Sequence, residues 1–277
     1  MFVFDGDCFS DLKSVPESLL NAMLELPIHT QYLNAYQGKI ALLESHYFSI
    51  MASLRRARVD VPMHYSLHFF QDQLETYNAV LGDHPNDQTL CIKFYRSQPP
   101  NKDKPITSLH FLLTVSETKW STHESVPIVY KDHYIYANDN AKLFQTHELL
   151  RKQAEVFAFE NGHDASLMLN DHKRLSESTL GAIFLIQGNL VKTPSLEEGV
   201  VATVSRNAII NFLKKEKIHP VEEGSLPLFA LQQADELFFF SAQNGFTQVR
   251  SFRKKSYAKH QSSALKKAFL RDYRNQL

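Results

Sequence analysis

Cysteine is scarce in this chain: Cys8 and Cys91 are the only two in 277 residues. Two are too few for a disulfide framework or a cysteine metal cluster, so they read as free thiols in a reducing compartment. Long apolar runs are missing as well. "LFFF" at 237–240 is typical of the longest, far short of a bilayer span. The opening "MFVFDGDCFSDLKSV" carries acids where a secretory leader carries lysines, and it holds no continuous apolar region. The cytoplasm is the expected location. Neither sign of charge is in excess: Lys+Arg and Asp+Glu both number 30, so no global field favours nucleic acid or an anionic membrane. The basic run "VRSFRKKSYAKHQSSALKKAFLRDYR" does not change that balance. A Gly-rich phosphate loop, a Gly-x-Ser-x-Gly elbow, internal repeats and low-complexity tracts are also absent.

What is present is an ordinary globular composition, 43% hydrophobic and 22% charged in 31.8 kDa, enough for one large domain or two smaller ones. "GKIALLESHYFSIMASLRRARVDVP" begins as a short strand and continues as a helix with Leu43, Tyr47, Ile50, Met51 and Leu54 at helical spacing. "SLHFFQDQLETYNAVLG" is a second amphipathic helix closed by Gly82. "TLCIKFYRS", "SLHFLLTVSE" and "VPIVYKDHYIYAN" read as strands. The first half is therefore α+β, with helices on one side of a mainly antiparallel sheet. Polar "YANDNAK" supplies a linker at 137–142 between a domain at 1–136 and another at 143–277. The second domain reads as a helix stopped at Gly162, the short strands "ASLMLND", "AIFLIQG" and "LVKTP", and the helix "SRNAIINFLKKEK". A strand, a short helix, two more strands and a terminal helix follow.

The stretch "GNLVKTPSLEEGVVATVSRNAIINFLKK" carries a specific hint. Val204, Ser205 and Arg206 stand where its helix begins, and a helix start offers unpaired N–H groups and a positive dipole end to an anion such as phosphate.

An ordered series of residues around that stretch resembles the fold-type IV (class IV) aminotransferases and aminodeoxychorismate lyases. The series comprises Asn170 at a strand end, Glu177, Ala182-Ile183-Phe184, Thr193-Pro194, Thr203-Val204-Ser205-Arg206, and the later "ADELFFFSAQNGFTQV". With "ESHYFSIMASLRRARVDVP", the likeness covers roughly residues 36–258. The resemblance implies an α/β fold of two domains, a smaller N-terminal one and a C-terminal pseudo-barrel, usually in a homodimer. It also implies pyridoxal 5′-phosphate (PLP) held by a lysine Schiff base. A glutamate would pair with the ring nitrogen, and an arginine and helix-start amides would hold the phosphate. The ring acts as an electron sink that the protein orients and tunes.

Set against that pattern, Glu177 matches the ring partner; the plain reading of "RLSES" alone is a solvated turn. Counting back without a gap from "ENGHDASLMLN" puts Phe144-Gln145-Thr146-His147 at the lysine segment, so Phe144 holds the lysine position. Lys142, two residues earlier, faces the same way if the segment is extended, displaced by about 7 Å. The phosphate arginine of "His-x-x-Arg-Leu" falls on Ser49, which has neither charge nor fork. The cup keeps Val204 and Ser205, with Ser241-Ala242 as the second phosphate contact. The walling segment upstream keeps only Gly38-Lys39-Ile40.

Scaffold positions thus persist where chemistry-bearing positions have drifted. The expectation is a homologue without classical transaminase activity, with PLP retention in doubt, that serves as a binding, partner or regulatory subunit; a small anionic or amino-acid-like ligand is its expected small-molecule partner. An active aminotransferase or 4-amino-4-deoxychorismate lyase using Lys142 is the alternative. Different chemistry in the interdomain cleft that the resemblance implies, through Glu177 and His147, is a third reading, since a histidine titrates near neutral pH. By family position His46 and His163 line that cleft too. His64, His68 and Asp72 fall at helical spacing that could present a metal pair, but a polar helix face is the better reading.

Overall fold

The computed structural model describes residues 2–17, 20, 26–81, 87–96, 109–118, 120 and 123–276. The expected closure of the second helix at Gly82 lies outside them. The chain divides into two compact units, Met1–Thr118 with Gln276–Leu277, and Lys119–Asn275.

The first unit is a six-stranded sheet in the order β2-β1-β6-β5-β3-β4. Its strands are β1 (Phe2–Phe4), β2 (Asp7–Phe9), β3 (His29–Tyr36), β4 (Lys39–Ile40), β5 (Gln88–Arg96) and β6 (Leu109–Glu117), all paired antiparallel. Helices α1 (Leu43–Arg56) and α2 (Leu67–Leu81) pack on one face. The apolar phase read from the sequence explains why. Ile50, Met51 and Leu54 of α1 bury against Leu33, Leu90, Ile92, Phe94 and Phe111 of the sheet, with Phe70 and Tyr77 of α2 completing the core. Phe4, Tyr95 and Leu112 form a smaller cluster. β3 and β4 are joined by Gln37 (φ 49°) and Gly38 (φ 78°). Two successive left-handed residues match the twist of a two-residue hairpin.

The second unit holds the strands β7 (Ile128–Val129), β8 (Ser166–Leu169) and β9 (Leu175–Ser178) in one sheet. A five-stranded sheet runs β12-β11-β10-β13-β14, built from β10 (Ala182–Gln187), β11 (Leu190–Pro194), β12 (Val221–Gly224), β13 (Glu236–Ser241) and β14 (Gly245–Gln248). Its helices are α3 (Glu148–Glu160), α4 (Val204–Glu216), the short α5 (Ala230–Gln233) and α6 (His260–Asn275). The "LFFF" run is central β13, buried on both faces, which is why it reads as a continuous apolar run rather than an alternating one. Phe238 stacks between Phe184 (5.1 Å) and Phe246 (4.4 Å), while Phe240 meets Phe269 and Tyr273 of α6 edge-on.

Three segments differ from the sequence reading. "VPIVYKDHYIYAN" yields only the two residues of β7 as strand. Beyond them, single backbone bonds attach Tyr130 to Leu167 and Ile135 to Leu169. "RLSES" is not a solvated turn: its last four residues form β9, buried throughout, paired with β8 through Met168 and Glu177. Residues 137–142, expected as the linker, belong to the second unit. There Asn138 caps a 3-10 turn at Asp139–Lys142, Ala141 is buried, and the Ala202 N–H reaches the Lys142 carbonyl.

Candidate functional site

The residues that carried the family likeness prove to be structural ties in the second unit. Asn170, fully buried after β8, donates through Nδ2 to Glu198 Oε2 at 2.7 Å, and its side-chain Oδ1 accepts from the Arg174 backbone N–H at 3.0 Å. Thr193 Oγ1 donates to the Ile183 carbonyl at 2.7 Å. Arg206 is 1% exposed. Its Nη2 donates to the Pro194 carbonyl at 2.8 Å and to Glu223 at 3.0 Å. A buried guanidinium needs such partners, and this one anchors α4 to β11 and β12.

Around the start of α4 the hydroxyls already have partners. Thr203 is the N-cap: its oxygen accepts from the Arg206 N–H at 3.1 Å and from the Ser205 hydroxyl at 3.2 Å. That capping bond satisfies one donor of the first turn. Val204 and Ser205 are buried. The Ser241 hydroxyl donates to the Leu180 carbonyl at 2.9 Å and accepts from the Asn244 N–H at 3.0 Å. The Ala242 carbonyl takes the Trp120 indole N–H at 3.1 Å. The indole is seated against Gly245, where an added Cβ would come within 2.3 Å of its ring.

The lysine-position segment is not extended. Phe144–His147 is a second 3-10 turn directly after the one ending at Lys142, so the same-face argument for Lys142 does not apply. Lys142 Nζ is held by Asp139 at 2.8 Å.

Phe144, Glu177 and a residue the sequence reading passed over meet instead. Arg151 of α3 donates Nε–H to Glu177 Oε1 at 2.6 Å and Nη1–H to the Phe144 carbonyl at 2.5 Å. Its Cζ stands 4.7 Å from the centre of the Phe144 ring, within cation–π range. Arg151 is 7% exposed and Glu177 6%. The signal for Arg151 was its helical phase: with Ala154 and Ala158 it forms the buried stripe of α3, and a charge there demands a partner. His147, at the head of α3, is half-buried. Burial, then the nearby Arg151 charge, lower its pKa against the opposing pull of Glu177 and the Tyr136 carbonyl.

The other histidines are placed elsewhere. His46 is 1% exposed in the first unit, its Nδ1 meeting Gln31 Nε2 at 2.7 Å. His163 Nδ1 donates to the Val126 carbonyl at 2.7 Å. His64 precedes α2, and His68 and Asp72 form an exposed i,i+4 pair at 3.4 Å. No cluster of metal-ligating residues occurs among the described residues. Nor, among them, is any helix long and apolar enough to cross a membrane. Ser49 is half-buried on α1 in the first unit.

The architecture defines a fold-type IV protein, and the comparisons agree. The model of the amino-transferase class IV family matches residues 32–252, so the chain belongs to that family. A protein of Aquifex aeolicus described as a probable branched-chain-amino-acid aminotransferase is 35% identical over 85 residues, 31% of this chain. That match spans only 27% of the relative's length. Among solved structures, the branched-chain aminotransferase of Thermoproteus uzoniensis with norvaline superposes with a TM-score of 0.84 at 19% identity, covering 99% of this chain and 95% of its own. A Legionella pneumophila protein assigned as a 4-amino-4-deoxychorismate lyase gives 0.79 at 19% identity, over 94% and 97%. The PLP form of the Thermobaculum terrenum branched-chain aminotransferase gives 0.82 at 14%, over 100% and 94%. At such identities the likeness speaks for the fold, and activity has to be argued from the site.

Proposed function

We propose that this chain is a class IV aminotransferase homologue without PLP-lysine chemistry, acting as a binding or partner subunit. The observation that carries the reading is Phe144 at the lysine position. A phenyl group has no amine to attack a carbonyl. Lys142 does not take over: its ammonium is paired with Asp139, and its turn is fastened to Ala202. The remaining residues do not fit PLP either. The carboxylate expected to meet the ring nitrogen already holds a guanidinium. Ser49 brings no charge to a phosphate, and the Ser205 and Ser241 hydroxyls are bonded within the protein.

What remains at the head of α4 is backbone N–H, which suits a small anion or the carboxylate of an amino-acid-like ligand. A homodimer and a cytoplasmic location complete the proposal, in keeping with the family. Glu177 and His147 do not support different acid–base chemistry, because Glu177 is tied in an ion pair.

The test is a visible absorption titration of the purified protein with PLP, followed by borohydride reduction and peptide mapping. The expected result is no new band, no reduced adduct and no rise in melting temperature. A band fixed by borohydride onto Lys142 or any other lysine would overturn the proposal.

A further inference from the structure

We infer that Arg151 is an internal substitute for the cofactor's ring nitrogen: its guanidinium takes Oε1 of Glu177 and neutralises that carboxylate, so that PLP is disfavoured by a cation of the protein's own as well as by the loss of the lysine. The inference rests on the function proposed above and deepens it.

Three contacts of one side chain make the case. Nε–H meets Glu177 Oε1 at 2.6 Å, the short distance of a charge-assisted bond. Nη1–H meets the carbonyl of Phe144, and the guanidinium lies over the ring of that same residue. The cation therefore closes on the carboxylate and on the residue at the lysine position together. Both charges are more than nine-tenths buried, where an ion pair is held far more tightly than in water. A protonated pyridine ring offers Glu177 a single N–H. Oε2 of Glu177 has room for it, but Arg151 on Oε1 has already neutralised the charge that would keep the ring protonated, and it sets a second cation beside the pyridinium. A lysine restored at position 144 would also arrive beside that guanidinium, and two cations so close repel one another.

Arg151 and Glu177 would equally make a plain structural ion pair. The two roles separate because a structural pair has no reason to compete with PLP. The experiment starts from the full-length double variant F144K/S49R, which restores the amine and the phosphate arginine. It then adds Arg151→Gln, whose amide still donates to Glu177. PLP affinity is read from the visible band and, independently, from the shift in melting temperature.

Arg151→Gln is expected to tighten PLP binding at least tenfold, equivalent to about 1.4 kcal/mol. Equal or weaker binding in a folded F144K/S49R/R151Q protein overturns the inference. Should that triple variant not fold, Glu177→Gln in the F144K/S49R background decides the matter, since the amide oxygen it introduces can still accept from Arg151. If Arg151 occupies the carboxylate, PLP affinity stays within twofold. A tenfold loss would show Glu177 free to serve the ring and overturn the inference. Neither arm depends on the wild-type titration, where a lysine adduct would defeat the proposed function instead.

Discussion

Arg151 shows how much a single buried charge can decide. Truncating it to methionine leaves the Glu177 carboxylate uncompensated at 6% exposure, and such losses cost roughly 3–5 kcal/mol. Urea unfolding of Arg151→Met should therefore show a large drop in midpoint. Arg151→Met with Glu177→Leu should recover most of it, because an apolar pair of similar volume replaces the ion pair. A double variant no more stable than the single one would mean that Arg151 stabilises through Phe144 alone. At this scale the sequence was only partly legible. Phe144 and Glu177 could be placed by counting along a pattern. Arg151 could not, because its role depends on which strand α3 packs against, and β9 was itself invisible as the short polar string "RLSES".

Among the elements, α4 and the β3–β4 hairpin allow local rules to be tested. Thr203 caps α4 through its hydroxyl; Thr203→Ala should cost about 1 kcal/mol and Thr203→Ser much less. Gln37 holds a left-handed conformation at φ 49°, which costs a side chain of its type roughly 1 kcal/mol and asparagine less. Gln37→Asn should raise stability by about 0.5 kcal/mol, read as a higher thermal midpoint; a lower midpoint would mean that the Gln37 side chain contributes contacts of its own. The phased apolar pattern of α1 and the unbroken apolar run of β13 were readable from sequence, because burial of one face leaves a period and burial of both faces a continuous run. "VPIVYKDHYIYAN" misled for the opposite reason. Its apolar residues do bury, Val129, Tyr130 and Ile135 among them, but as an irregular segment attached by single bonds to β8.

For the whole molecule, the distribution of buried histidines predicts unequal acid sensitivity. In the first unit His29 donates through Nε2 to Gln31 Oε1, and Gln31 Nε2 donates to His46 Nδ1. Burial pushes the His29 pKa down to about 4, against a partial opposing effect of Gln31, and that of His46 to about 3, from 6.5. Below pH 6.5 the unfolded chain therefore binds protons that the folded unit refuses. Stability is full above 6.5 and falls with acidification by about 1.4 kcal/mol per pH unit for each histidine, until the folded values are reached. The chain's one tryptophan, Trp120, reports on the second unit. On acid titration, the loss of far-UV circular dichroism should begin at a higher pH than the change in Trp120 emission. Replacing His29 and His46 with glutamine should bring the two together. Coincident transitions in the wild type would show that the units unfold as one.

The Arg151–Glu177 pair also bears on reversibility. If it excludes the cofactor as proposed, the route back to a lysine-bound cofactor passes through positions 144, 49 and 151, and no first step along it is rewarded. A lysine at 144 arrives facing a guanidinium, an arginine at 49 has no phosphate to hold, and losing Arg151 strands Glu177. Each intermediate is less stable or no more capable than the starting protein. On that reading the loss is held in place by a pair of charges 2.6 Å apart.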